Sequence, residues 1–128
     1  MIGNKDIEKI LVKDLSTLIG VEDIFVADDM PEGIIEKERI VVISKPLSIA
    51  KIFNKSYTEV NWCVPDIGGY PAHERLGEVS RHLLKLSSVG EYDGTAYRYE
   101  VSSIGVVASE LKCHYVNARL LFEILNVN

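Results

Sequence analysis

Three residues near the middle of the chain carry the types needed for nucleophilic chemistry: Cys63, Asp66 and His73. A thiol beside an imidazole, with a carboxylate to orient the ring, is an arrangement that cleaves acyl bonds. An activated thiol, however, needs a helix N-terminus or cationic neighbours. Cys63 instead adjoins Trp62 inside an alternating strand pattern, with no nucleophile signature around it. The expectation is that Cys63 and Cys113 are free, buried thiols in a reducing compartment. Metal chemistry fares no better. Cys113 and His114 are adjacent, so in a strand they point to opposite faces and cannot share an ion without a bulge. His73 and His82 are nine positions apart, on opposite sides of a helix. Asp28, Asp29 and Glu32 could attract a divalent cation, but they lack EF-hand spacing and read as a solvated acidic turn. The pair Gly68-Gly69 precedes a helix but has neither G-x-G-x-x-G nor the Lys-Ser/Thr of a P-loop. No cofactor is expected.

The stretch Pro65-Asp66-Ile67-Gly68-Gly69-Tyr70 reads differently. Glycine permits a sharp turn into a helix opening on Pro71, and the turn exposes Ile67 and Tyr70. An apolar and an aromatic side chain on an exposed loop point to a binding contact.

The elements that position this loop follow from periodicity. Residues from Lys5 to Ile19 form a helix, with Ile7, Ile10, Leu11, Leu15 and Leu18 on one face and Gly20 as the stop. A short strand runs from Asp23 to Val26, an acidic loop follows, and Arg39 to Ser44 is a β-branched strand. Leu47 to Asn54 fits either a helical turn or an edge strand. From Tyr57 to Val64 the pattern has period two, with Val60, Trp62 and Val64 on one side and Glu59, Asn61 and Cys63 on the other. The second helix spans Pro71 to Leu86 with a stripe of Leu76, Val79, Leu83 and Leu86. Glu91 to Gly94 is a turn, and strands follow near Tyr97 to Ala108 and Lys112 to Leu125. The predicted fold is α+β: an antiparallel sheet of about four strands plus a side hairpin, packed by two helices, in the order α-β-β-β-α-β-β. Asn117 and Arg119 face away from the core, with Tyr57, Tyr97, Tyr99 and Tyr115 on or near their face. Such a mixture of Tyr, Arg, Asn and Glu is the composition of a protein–protein contact.

Composition narrows the function. The 128 residues make one domain, long enough to bury a core without metal or disulfide. A net charge of −5 weighs against a nucleic-acid binder. The start, Met1 to Asp6, enters a charged helix without an apolar run, and no stretch approaches a membrane span, so an intracellular, unsecreted protein is expected.

The element order resembles the tail-terminator and tail-completion family of long-tailed phages, over most of the chain. The resemblance rests on Val60-Asn61-Trp62-Cys63-Val64-Pro65-Asp66-Ile67, on Arg75-Leu76-Gly77-Glu78-Val79, and on His114-Tyr115-Val116-Asn117-Ala118-Arg119-Leu120. The glycines at 68 and 69 and the segment Pro46 to Lys55 depart from the family pattern. The resemblance implies a ring, commonly a hexamer, that caps the tail tube and joins it to the head. It implies a non-enzymatic role in the virion or bacterial cytoplasm, with tail-tube and head-completion proteins as partners and DNA passing through unbound. Pro65 to Tyr70, the turn carrying Asp28 and Asp29, and Asn117 and Arg119 are the expected contacts. The alternatives are a small-ligand or peptide-binding module, with a pocket lined by Trp62 and the tyrosines, and a hydrolase using Cys63, His73 and Asp66.

Overall fold

A computed structural model describes residues 4–18, 24–26, 37–44, 54–109 and 111–124. Its elements in chain order are α1 (Asn4–Leu18), β1 (Ile24–Val26), β2 (Arg39–Ser44), β3 (Asn54–Pro65), α2 (His73–Leu84), β4 (Ser87–Tyr92), β5 (Thr95–Ser109) and β6 (Cys113–Ile124). The protein is α+β, as its periodicity predicts. The strands form a single six-stranded sheet in the order β1-β2-β3-β6-β5-β4. Every neighbouring pair is antiparallel except β1 and β2, which run parallel.

Three details depart from the expected layout: β1 and β2 pair in parallel where an antiparallel sheet is expected, β4 is an additional strand, and the side hairpin is absorbed into the sheet. There is no detached side hairpin among the described residues, because β4 joins the edge of the main sheet through β5. The segment Ser-Ser-Val-Gly-Glu-Tyr lacks an apolar alternation, and Val89 is largely exposed. It is a strand because β5 offers it a ladder. The hairpin closes at Asp93 and Gly94, both with positive φ (50° and 78°), as a two-residue turn between twisted strands requires. The acidic turn at Asp28 and Asp29 lies outside the described residues.

Both helices cover one face of the sheet. Ile7, Ile10, Leu11 and Leu15 of α1 and Leu76, Val79 and Leu83 of α2 meet Ile40, Val42, Val60, Trp62, Val116, Ala118, Leu120 and Phe122. Tyr97 and Tyr99 also lie on this face, not on the open one. Their cross-strand partners on β6 are Ile124 and Phe122. Phe122 stacks against both tyrosine rings, at centroid distances of 5.3 and 5.7 Å, and the tyrosines lie 6.5 Å from each other. The Tyr99 hydroxyl donates to Asp14 Oδ2 of α1 at 2.6 Å, tying the first helix to the far half of the sheet.

β5 changes face partway along. Tyr97, Tyr99 and Val101 oppose Ile124, Phe122 and Leu120, but after a bulge at Ser102 it is Ile104, Val106 and Ala108 that oppose the inward residues Ala118, Val116 and His114. The bulged Ser102 donates its hydroxyl to Arg119 O at 3.0 Å. An extra residue in one strand shifts the alternation by one step, so inward positions pass from odd to even numbers.

Candidate interaction surface

The loop after β3 is a small, well-defined projection. Pro65 opposes Cys113 as the last pair of the ladder. The Asp66 N–H donates to Lys112 O at 3.0 Å, and Asp66 Oδ1 lies 2.7 Å from His114 Nδ1. Beyond this clasp Ile67 and Tyr70 exchange backbone hydrogen bonds of 2.8 and 3.0 Å. The turn between them needs positive φ at both central residues, and Gly68 (+58°) and Gly69 (+84°) supply it. Ala72 is buried, and its carbonyl accepts from Leu76 N–H as α2 begins. The outcome is a miniature hairpin displaying Ile67 and Tyr70, which are 71% and 75% exposed. Pro65, Asp66, Ile67, Gly68, Gly69 and Tyr70 therefore form one structural unit.

Asn117 and Arg119 lie on the open face, away from the helices. Asn117 Nδ2 donates to Asn61 Oδ1 across the ladder at 2.6 Å. The Arg119 guanidinium sits 4.0 Å from the centre of the Tyr57 ring. Arg98 and Glu123 pair at 3.2 Å further along the same face. The wall is polar and aromatic, and its side chains are held by one another, which lowers the entropy lost when a partner covers it. Tyr57 and Tyr115 belong to this wall by register, whereas Tyr97 and Tyr99 do not.

The structure sets Cys63, Asp66 and His73 in separate surroundings. The Cys63 thiol sits with Cys113, Leu111 and Tyr115 on the side away from α2. Burial, and then the neighbouring Cys113, push it up to about 11, so it is protonated at neutral pH. Asp66 is engaged by His114, and His73 is exposed at the start of α2. Among the described residues no three His, Cys, Asp or Glu side chains gather to hold a metal ion. Trp62 is 1% exposed and Tyr97 and Tyr99 are core residues; Tyr99 borders a cavity with Ser87, Ser88, Arg98 and Glu123, in which Trp62 has no part.

Sequence reasoning misses one polar cluster altogether. Glu38, just before β2, accepts from Trp62 Nε1–H at 3.0 Å and takes two bonds from Arg75, at 2.7 and 2.9 Å. Arg75 also reaches Glu78 at 2.9 Å and stands 5.6 Å from the Trp62 ring centre. The Arg75 hydrogen bonds hold the Glu38 carboxyl below its usual value. Nothing local to Glu38 announces this, because its partners lie 24 and 37 residues away.

The geometry defines an α+β scaffold with a projecting apolar tip and a polar, aromatic open face. No family model matches the chain, and no curated protein matches it. Solved structures do. One, a chain whose designation names no activity, superimposes with a TM-score of 0.62 at 14% identity, covering 95% of this chain and 92% of that one. At that identity the likeness concerns the fold alone. No helix among the described residues is long and apolar enough to cross a membrane.

Proposed function

We propose that the chain is a structural subunit that assembles with copies of itself into a ring, as a neck or tail-completion protein of a phage or prophage. The observation that carries this reading is the projecting tip. Two large apolar side chains stand in water on a turn fixed by its own hydrogen bonds, and such side chains gain most when a partner buries them. The open wall of Tyr57, Asn61, Asn117 and Arg119 supplies a second, flatter surface of contact composition. The phage assignment rests on the resemblance in element order and in the three sequence stretches that carry it. In that setting the ring is a hexamer seated on the tail tube, with a head-completion protein above it. The net charge of −5 suits a channel that lets DNA pass without holding it.

The test is assembly. Electron microscopy of the purified chain, alone and mixed with tail tubes, should show rings with a central opening. The double variant Ile67→Ser, Tyr70→Ser should keep its circular dichroism spectrum and lose the rings, since both side chains are exposed and hold no core. A chain that stays monomeric both alone and with tubes refutes the reading.

A further inference from the structure

We propose that residues 103–109 of β5 form a strand-pairing edge, and that its occupant is the same segment of a second copy, running antiparallel about Val106. β5 is longer than its outer neighbour. β4 pairs with it only from Tyr92↔Thr95 to Ser87↔Glu100. From Ser103 to Ser109 the inner side is fully paired with β6, while among the described residues no strand lies along the outer side. Seven residues of antiparallel strand span about 24 Å at ~3.4 Å each, a full-length ladder rather than a frayed end.

Free edges are ordinarily protected by lysine, proline, inward charges or a covering element. This one has none of those residues: Val-Ser-Ser-Ile-Gly-Val-Val-Ala-Ser, from 101 to 109, contains no charge and no proline. Its apolar side chains are in water, with Val106 53% and Val107 42% exposed, one on each face. The sheet's other edges are poorer templates. β1 is three residues long, and β4 carries Glu91.

Two features select a second copy as the partner. The first is shape. The outer border is stepped, with β4 standing proud over residues 95–100 and a recess beside 103–109. A copy turned by a two-fold axis sets its own β5 into that recess and offers its recess in return, so that each β4 lies end-on to the other copy's β5. The second is charge. In a two-fold antiparallel pair each residue meets the one equally far on the other side of the centre: Val106 meets itself, Gly105 meets Val107, Ile104 meets Ala108, and Ser103 meets Ser109. Any charge near the centre would face its own copy at close range, and there is none. The bulge at Ser102 ends the pairing segment where β4 begins.

This contact does not depend on the ring reading. A ring closes through head-to-tail contacts, whereas a two-fold contact joins copies in pairs, or two rings back to back.

The experiment uses the full chain and two charge variants, Val106→Lys and Val106→Asp. Light scattering at high protein concentration should give the wild type an even multiple of 14.3 kDa. Each variant alone should lose half that mass with an unchanged circular dichroism spectrum, because Val106 is exposed. An equimolar mixture should recover the wild-type mass, with lysine now facing aspartate. Amide exchange of wild-type 103–109 should accelerate on dilution, which tests the same contact without any substitution. A monomeric wild type, a variant that keeps the wild-type mass, a mixture that stays apart, or exchange indifferent to dilution each overturns the proposal. A ring that survives Val106→Lys intact removes the edge contact and leaves the ring standing.

Discussion

Replacing Glu38 with glutamine removes one charge from the cluster that joins the start of β2 to Trp62 and α2. Glutamine keeps the shape, and its oxygen still accepts from Trp62 Nε1–H, so the loss falls on the Arg75 pair. Hydrogen bonds to charged groups contribute about 1.5–3 kcal/mol when shielded, and exposed ion pairs only about 0.2–1 kcal/mol. The Glu38 and Arg75 side chains are 30% and 36% exposed, which places this pair between the two cases. Glu38→Gln should therefore cost about 1 kcal/mol after discounting for solvent screening. Glu38→Ala should cost about 2–3 kcal/mol, because it also strands the buried indole N–H. The pH dependence has a definite sign. A carboxyl held below its usual value of 4.5 stabilises the fold fully above that pH, and the contribution fades as pH falls through the lower folded-state value. The gap between wild type and Glu38→Gln should be widest near neutrality and close as the pH falls below 4.5 through the lower folded-state value. Urea unfolding followed by the fluorescence of Trp62, the single tryptophan, reads both quantities at fixed protein concentration. A Glu38→Gln variant as stable as wild type at pH 7, or a gap that persists in acid, refutes the reasoning.

Tyr99→Phe deletes the 2.6 Å bond to Asp14 and should destabilise the fold by about 1–2 kcal/mol in the same assay. Burial first, and then the Asp14 carboxylate, push the Tyr99 hydroxyl above its ordinary value of 10.0, so the unfolded chain loses this proton first. Wild-type stability should then fall as pH rises past 10, and the phenylalanine variant should lack that share of the fall. For the cysteines, an electrophilic thiol probe at pH 8 should label Cys63 and Cys113 slowly until urea unfolds the chain, since both are buried and Cys63 is pushed up to about 11. Fast, selective labelling of native Cys63 would revive the hydrolase reading.

Much of the fold is legible wherever the apolar pattern repeats without interruption. The stripe Ile7, Ile10, Leu11 and Leu15 defines α1, and Val60, Trp62 and Val64 define the inward side of β3. β4 is not legible, because Ser87–Tyr92 holds its shape only through pairing with β5. The inward placement of Tyr97 and Tyr99 depends on which residues of β6 they oppose, a long-range fact that strand propensity does not encode. The tip at 65–70 is legible because adjacent glycines between apolar residues have a local cause. The Glu38 cluster is not, because its members meet only after the sheet and α2 have packed.

The odd residue at 102 works like a dropped stitch in the strand that holds it. Upstream of it the odd-numbered side chains face the helices' side; downstream the even-numbered ones do, and of these Ile104 packs against the core. Removing Ser102 would restore a uniform weave without turning the far arm over: Ser103 already opposes Arg119 and Ile104 opposes Ala118, so Ile104 and Val106 would stay on the helices' side and only the local kink would go. A single surplus serine is thus taken up as a local kink, and the facing of both arms stays in step with an unbroken β6.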